Sequence, residues 1–208
     1  MIDDTTRDAG DPDGGNVRLP LLDPRALTAE QRALYDAIGA ARGGQVPAGE
    51  SGGLLGPFNA MLYSPRIGEP LQQLGAAIRF RTGFTARERE LAILVVAAHL
   101  RADFEWYAHE RIGRGSGLTD EELAALRAGR RPSLDDPRER VVHETARALA
   151  VDGDLDAAAF TAAVDALGRP LLVELVTLVG YYAALALQLR TFRVGVPPGA
   201  PAVAWDAP

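Results

Sequence analysis

The 208-residue chain contains neither cysteine nor lysine, and each absence removes a class of chemistry. Without cysteine there can be no disulfide, no thiolate nucleophile and no cysteine-ligated metal. Without lysine there can be no Schiff base and no lysine-anchored pyridoxal phosphate. Chemistry must therefore come from carboxylates, histidines, tyrosines, arginines or hydroxyls, or from a bound cofactor.

The chain also lacks the features of nucleic-acid-binding and exported proteins. Its net charge of -6 is the opposite of the basic surface that a nucleic acid requires. The acidic, Gly-rich N-terminus has no signal-peptide pattern. The apolar run from Leu91 to Leu100 is about half of the ~20 residues that a membrane span needs. We therefore expect a cytoplasmic protein with a small-molecule substrate and no nucleic-acid or membrane partner.

Helix signals dominate what is present and predict an all-α fold. Thr28 with Gln31 and Thr85 with Glu88 have the spacing of capping boxes, and Thr119 is placed to cap a later helix. We expect a disordered tail over 1–17, a single all-helical domain over 18–196 and an extended C-terminal tail over 197–208. The predicted helices cover about 28–38, 57–63, 65–81, 86–100, 104–116, 119–127, 138–151, 156–167 and 170–191.

A weak internal repeat is visible in two long apolar helices. Glu90 begins one and Glu174 begins the other, and aligning the two glutamates places Arg193 where His109 stands. This suggests two related helical units around a pseudo-twofold axis. The alternative is that any two apolar helices beginning with glutamate look alike.

Glu90, Glu105 and His109 form the constellation that suggests catalysis. In one continuous helix Glu90 and His109 would lie ~28 Å apart, so they can meet only if the chain reverses near residues 101–103. Glu105 and His109 are four residues apart and share a helix face. A histidine suits proton transfer because its pKa lies near working pH, and a carboxylate beside it would fix its tautomer.

Each of these residues also has a simpler interpretation. A Glu/His pair at this spacing is commonly a surface ion pair, and Glu90 could serve only the helix dipole. We expect His99 to be a core histidine or a partner of Asp103, and His143 to be solvent-exposed. A metal site built from His99, His109 and a glutamate matches no established spacing, so we predict neither metal nor cofactor.

Aromatic and basic residues near the constellation could build a substrate pocket. An arginine, Arg79 or Arg81, could hold a substrate carboxylate. The aromatic and apolar candidates for the pocket wall are Phe58, Met61, Tyr63, Trp106 and Tyr107.

The stretch from Arg87 to His109, with the Gly-Leu-Thr-Asp-Glu that follows, resembles the carboxymuconolactone decarboxylase family. Its superfamily includes the alkylhydroperoxidase-D-like thiol peroxidases, in which a glutamate is followed by Cys-x-x-Cys-x-x-x-His. Here Ala102 and Glu105 stand at the two cysteine positions, and His109 keeps the histidine. The resemblance covers about residues 54–192. It implies an alkylhydroperoxidase-D-like helical bundle, a homotrimer or homohexamer, and catalytic roles for Glu90 and His109.

Two functions follow from the residues and the resemblance. The first is a cofactor-free acid–base enzyme, a lyase resembling carboxymuconolactone decarboxylase, that decarboxylates or isomerises a small lactone or carbonyl acid in a biosynthetic or aromatic-catabolic pathway. His109 would shuttle the proton, Glu105 would orient the His109 ring, and Glu90 would be the second acid or base. The alternative is a non-catalytic helical oligomeric binding module that has lost the thiol peroxidase chemistry along with the cysteines.

Overall fold

The fold consists of eight α-helices in the computed structural model, which describes residues 18–205. Between those residues the only β pairing is an isolated bridge between Ala48 and Leu54, so the all-α prediction is confirmed. Residues 1–17, the predicted tail, lie outside the described part. The helices are α1 Ala29–Ala41, α2 Pro57–Tyr63, α3 Pro65–Arg81, α4 Ala86–His99, α5 Asp103–Gly115, α6 Asp120–Arg127, α7 Pro137–Val151 and α8 Ala157–Thr191.

Local capping signals set where most helices begin. The threonines before α1, α4 and α6 each accept a hydrogen bond from the third backbone N–H of the helix, and a Gln or Glu side chain accepts one from the threonine N–H in return. The predicted capping boxes at Thr28 and Thr85 are thus confirmed, and Thr119 completes a third. Proline at the first position begins α2, α3 and α7, where its missing N–H costs nothing.

Glycine divides the longest helix. At Gly168 the backbone leaves helical geometry, with φ 71° and ψ 159°, a conformation that residues other than glycine rarely adopt. The break falls between the two predicted helices at 156–167 and 170–191, and it turns the second, more apolar part of α8 into the core.

Helix α4 lies at the centre of the fold. It contacts α5, α6, α7 and α8, and every residue from Glu90 to Ala97 is buried. A helix that is apolar on all sides must be covered on all sides, which explains its central place. The first turns of α4 therefore carry Glu90 into the interior, where its carboxylate needs partners.

Helix α3 packs through its small residues, contrary to its sequence pattern. The helical spacing of Ile67, Leu71, Leu74 and Ile78 predicts that these side chains form one buried apolar stripe, but Ile67 and Leu74 are exposed. The buried face instead carries two glycines and a glutamine with a single large apolar residue, namely Gly68, Gly75, Gln72 and Ile78. A Cβ at Gly68 would stand 2.3 Å from the Met61 carbonyl oxygen, so close backbone approach decides which face turns inward.

The described C-terminal residues pack against the fold. Trp205 stacks edge-on against Trp106, with ring centroids 5.6 Å apart, and its indole N–H donates to Asp103 Oδ1 at 2.6 Å. Asp103, predicted to cap α5, is instead the first residue of that helix, and Ala102 occupies the cap position without a side-chain hydrogen bond.

Helix α8 is long and apolar enough to cross a membrane by length and composition alone, in contrast to the expectation that no segment would be. Half of its most apolar window is buried inside the fold, as in core helices of soluble proteins, which pass the same test. The described residues are therefore consistent with a soluble protein.

Candidate functional site

A tight reversal between α4 and α5 builds the site. Leu100 ends α4, Arg101 takes a left-handed conformation with φ 49°, and the Ala102 N–H bonds back to the Ala97 carbonyl at 3.0 Å. The chain then re-enters a helix at Asp103. This reversal brings His109 Nδ1 to 2.6 Å from Glu90 Oε2, although they are nineteen residues apart in the sequence. The predicted meeting of these two residues is therefore present.

Glu90 is fully buried and has charged neighbours. Its Oε2 bonds to His109, while its Oε1 faces Arg89 Nε at 3.8 Å and Arg79 Nη1 at 4.0 Å. A carboxylate accepts hydrogen bonds, so the pairing assigns the proton to His109 Nδ1 and leaves the lone pair on Nε2. In this tautomer Nε2 can act as a base.

His109 lies in the wall of a cavity of about 430 Å³. Its ring meets the Tyr182 ring edge-on, with centroids 5.1 Å apart and planes at 88°. Glu90 does not line the cavity. The polar and charged lining is contributed by α3, α5, α8 and the residues just after α1, and consists of Arg42, Gln45, Arg79, Glu105, His109, Tyr181 and Tyr182. The rest of the wall is mainly apolar, which suits a small, largely carbon ligand.

Glu105 lies in this wall but does not orient His109. Its side chain is buried, and neither carboxyl oxygen has a hydrogen-bond partner in the described structure. The predicted orienting role is therefore wrong: that contact belongs to Glu90, because the α4–α5 reversal brings Glu90 against the ring. Burial raises the pKa of Glu105 well above its usual range, which favours the protonated form of the carboxyl group.

Two of the six predicted pocket residues line the cavity, namely Phe58 and Arg79. The other four lie elsewhere, and Arg81 is not part of the lining either. Met61 and Trp106 are buried in the core. Tyr63 donates its hydroxyl to the Pro20 carbonyl, and Tyr107 contacts Arg111.

Arg42, Tyr181 and Tyr182 also line the cavity, and sequence reasoning did not select them. The Arg42 guanidinium lies 4.4 Å over the Phe58 ring, and burial lowers its pKa. Burial raises the pKa of Tyr181 to about 12 and that of Tyr182 well above its usual range, so both hydroxyls keep their protons. The available signals were an adjacent tyrosine pair in an apolar helix and an arginine just after α1.

Gly75 lets Tyr181 reach the cavity. A Cβ on Gly75 would stand 2.1 Å from the Tyr181 hydroxyl oxygen, so a larger residue in α3 would displace the phenol. Gly75 itself lines the cavity. The glycine inside α3, unfavourable for helix propensity, is thereby explained by close packing at the site.

A comparison with known protein families matches the part of the chain that carries these residues. Residues 65–150 match the model of the carboxymuconolactone decarboxylase family, a range that includes Arg79, Glu90, Glu105 and His109. This part of the chain is therefore similar to that family, and the sequence contains no cysteine. No curated protein matches it.

The fold of the chain is similar to that of a solved structure described as an alkylhydroperoxidase AhpD core. That structure is an uncharacterized peroxidase-related protein from Ralstonia eutropha JMP134. The TM-score is 0.70 at 14% sequence identity, and the match covers 87% of this chain and 92% of that one. The likeness confirms the predicted alkylhydroperoxidase-D-like helical bundle.

The predictions for the other two histidines, His99 and His143, are both wrong. His99, expected in the core, is exposed at the end of α4, whereas His143, expected on the surface, is buried in α7. Burial lowers the pKa of His143, and its Nδ1 has no partner. Over residues 18–205 no group of three or more His, Asp or Glu side chains is arranged to hold a metal ion.

Proposed function

We propose that the protein is a cofactor-free enzyme that decarboxylates or isomerises a small lactone acid or carbonyl acid. The observation that supports this most directly is the Glu90–His109 pair, joined at 2.6 Å, with the imidazole in the wall of a mainly apolar cavity. The family match supports the same class of reaction without specifying it. Because the chain has no thiol, proton transfer is the chemistry that its own side chains can supply at this site.

The proposed roles follow from the orientation of the ring. In an isomerisation, His109 Nε2 removes a proton from the carbon beside a carbonyl, the electron pair moves to the carbonyl oxygen as an enolate, and the imidazolium returns the proton to a different carbon. In a decarboxylation, the bond to the carboxylate carbon breaks and CO₂ leaves. The remaining carbanion takes a proton from a His109 imidazolium that has gained this proton from solvent beforehand. Glu90 stabilises the imidazolium in both cases, and the positive charge of the arginines in the cavity wall attracts the substrate carboxylate.

Deuterium exchange tests this even though the substrate is unidentified. The protein is incubated in D₂O with a panel of small oxo acids and lactone acids, and NMR follows loss of the protons beside the carbonyl and release of CO₂. We expect exchange or decarboxylation of some panel members. His109→Ala should lower the rate by about 10²–10⁴-fold, the usual contribution of a positioned acid or base.

His99→Ala is the matched control, since His99 is exposed at the end of α4 and does not line the cavity. It should exchange like the unmodified protein. Full activity in His109→Ala would exclude the proposed shuttle. Ligand binding to the cavity without exchange or CO₂ release across the whole panel would favour the alternative function, a non-catalytic binding module.

We also infer that the protein forms a homo-oligomer, a trimer or a hexamer, and works in the cytoplasm. Apolar side chains remain exposed on α3 and α8, the two helices that flank the cavity, and the largest are Ile67, Phe80, Val173, Val176 and Leu187. Such a surface favours contact with other copies of the chain. The net charge of -6 is compatible with a soluble protein that binds a small molecule and neither nucleic acid nor membrane.

Light scattering after size exclusion measures the oligomer directly. We expect the mass of three or six chains, and a smaller mass for Val173→Asp. Val151→Asp, which changes an exposed valine at the end of α7, is the matched control and should keep the larger mass. A monomeric unmodified protein would contradict the oligomer.

A further inference from the structure

We propose that Glu105 is a neutral hydrogen-bond donor that selects ligands with a carbonyl oxygen, while Arg42 binds the carboxylate of the same ligand. The substrate is then an acid with a separate carbonyl group. This ligand preference rests on the proposed function, since it takes the cavity beside His109 as the substrate site, but it concerns binding and can be measured without turnover.

The surroundings of Glu105 support a donor role. The carboxyl group is buried, both oxygens lack partners, and its residue lies in the same cavity wall as Phe104, Tyr182 and Leu185. Such surroundings penalise the charged form, so the group keeps its proton and has an O–H without an acceptor. A buried donor without a partner costs about 1–3 kcal/mol, and a ligand carbonyl would supply the missing acceptor.

Arg42 is the cation best placed to bind the ligand carboxylate. Its guanidinium forms no ion pair with a carboxylate among residues 18–205, and the hydrogen bond that it donates to Gln72 Oε1 is long, at 3.4 Å. Arg79 differs, because it already faces Glu90. A guanidinium that is stacked on an aromatic ring and without an acidic partner is well suited to a ligand carboxylate.

The charges around the cavity favour an anionic ligand. Arg79 and Arg89 both face the buried Glu90, and Arg42 has no acidic partner among residues 18–205, so positive charge is left for a ligand carboxylate. The carbonyl end of the ligand is then neutral, as a neutral carboxyl donor requires.

Titration of the neighbours must be separated from titration of Glu105. The other ionisable groups at the site come from four helices and from the residue that ends α1, and they are Arg42, Arg79, Tyr181, Tyr182, Glu90 and His109. Both tyrosines stay protonated at pH 7–9 because burial raises the pKa of each, to about 12 in the case of Tyr181. A substitution at Glu105 itself therefore identifies its contribution.

Calorimetry with matched probes tests the preference. The probes are 4-oxopentanoate and 5-oxohexanoate, each compared with its parent acid, pentanoate or hexanoate. At pH 7 we expect one or both oxo acids to bind about tenfold more tightly than the parent, the value of one good hydrogen bond. Arg42→Gln should weaken the binding of every acid.

Three comparisons separate the donor from other effects. Glu105→Leu should abolish the oxo-acid preference and leave the parent acids unaffected. Glu105→Gln should keep the preference, because an amide N–H also donates. Raising the pH above 7 should reduce the preference in the unmodified protein but not in Glu105→Gln. Thermal unfolding verifies that each variant is folded.

The inference is overturned if no probe binds, if neither oxo acid is preferred, or if Glu105→Leu keeps the preference. Failure of the proposed function is distinguishable from this. A preference for oxo acids without any deuterium exchange would contradict the catalytic role of His109 and support the binding role of Glu105. Exchange without a preference would do the reverse.

Discussion

Glu90 and Glu105 are two buried carboxyl groups at one site, and they differ in their partners. Glu90 faces one imidazole and two guanidinium groups, so it is an acceptor that holds His109 in place. The Glu105 oxygens have no hydrogen-bond partner in the described structure, and burial raises the pKa of this carboxyl group, which favours the protonated form that we propose as a donor. Burial alone therefore does not fix the role of an acid; the groups brought against it do.

Removing the partnered acid should cost the most stability. Glu90→Gln keeps the shape of the side chain but loses the charge that His109, Arg79 and Arg89 face. We expect the free energy of unfolding at pH 7 to fall by about 1.5–3 kcal/mol, the usual value of a hydrogen bond to a charged group. Urea unfolding measures it. An unchanged midpoint would mean that the pair contributes nothing to the fold.

Removing Glu105, the acid without a partner, should raise the free energy of unfolding. Glu105→Leu deletes a buried group without hydrogen bonds and fills a mainly apolar wall, so we expect the free energy of unfolding to rise by about 1–3 kcal/mol at pH 7. Urea unfolding again gives the value. A loss of stability in Glu105→Leu would show that the carboxyl group has a stabilising partner and would remove the contrast with Glu90.

The effect of Glu105→Leu on stability should depend on pH. The pKa of Glu105 is raised by burial above the 4.5 of an exposed glutamate, so the folded state binds the extra proton. Its contribution to stability is fully present below about pH 4.5 and is lost as pH rises toward the folded pKa. The advantage of Glu105→Leu over the unmodified protein should therefore be larger at pH 8 than at pH 4.5, as measured by melting temperature.

His143 and His99 also differ in burial, and substituting them should have a smaller effect on stability than substituting the two glutamates. Burial lowers the pKa of His143 below 6.5, so it stabilises the fold above pH 6.5 and that contribution is lost as pH falls through the folded pKa. His143→Gln should lose less stability than the unmodified protein between pH 7.5 and pH 5. His99→Gln, at an exposed position, should melt like the unmodified protein at both pH values.

Much of the secondary structure could be predicted because its signals are local. Thr28, Thr85 and Thr119 each act through a residue three positions away, and proline acts at its own position where it begins α2 and α3. The Glu90–His109 contact was also within reach, since a break near residue 102 leaves two helices that can fold back on each other. The buried face of a helix could not always be predicted from the sequence. The spacing of Ile67 favours an internal position, but Ile67 is exposed.

What the sequence by itself determined is where helices begin and end, the absence of thiol and lysine chemistry, and the resemblance of residues 65–150 to the carboxymuconolactone decarboxylase family. Those properties depend on composition or on neighbours within one helical turn. Only the tertiary structure decided that Glu90 is the partner of His109, that Glu105 has none, and that Arg42 and Tyr181 reach the same cavity. Those properties depend on contacts between helices far apart in the chain, where close approach at a glycine such as Gly75 selects which side chains meet.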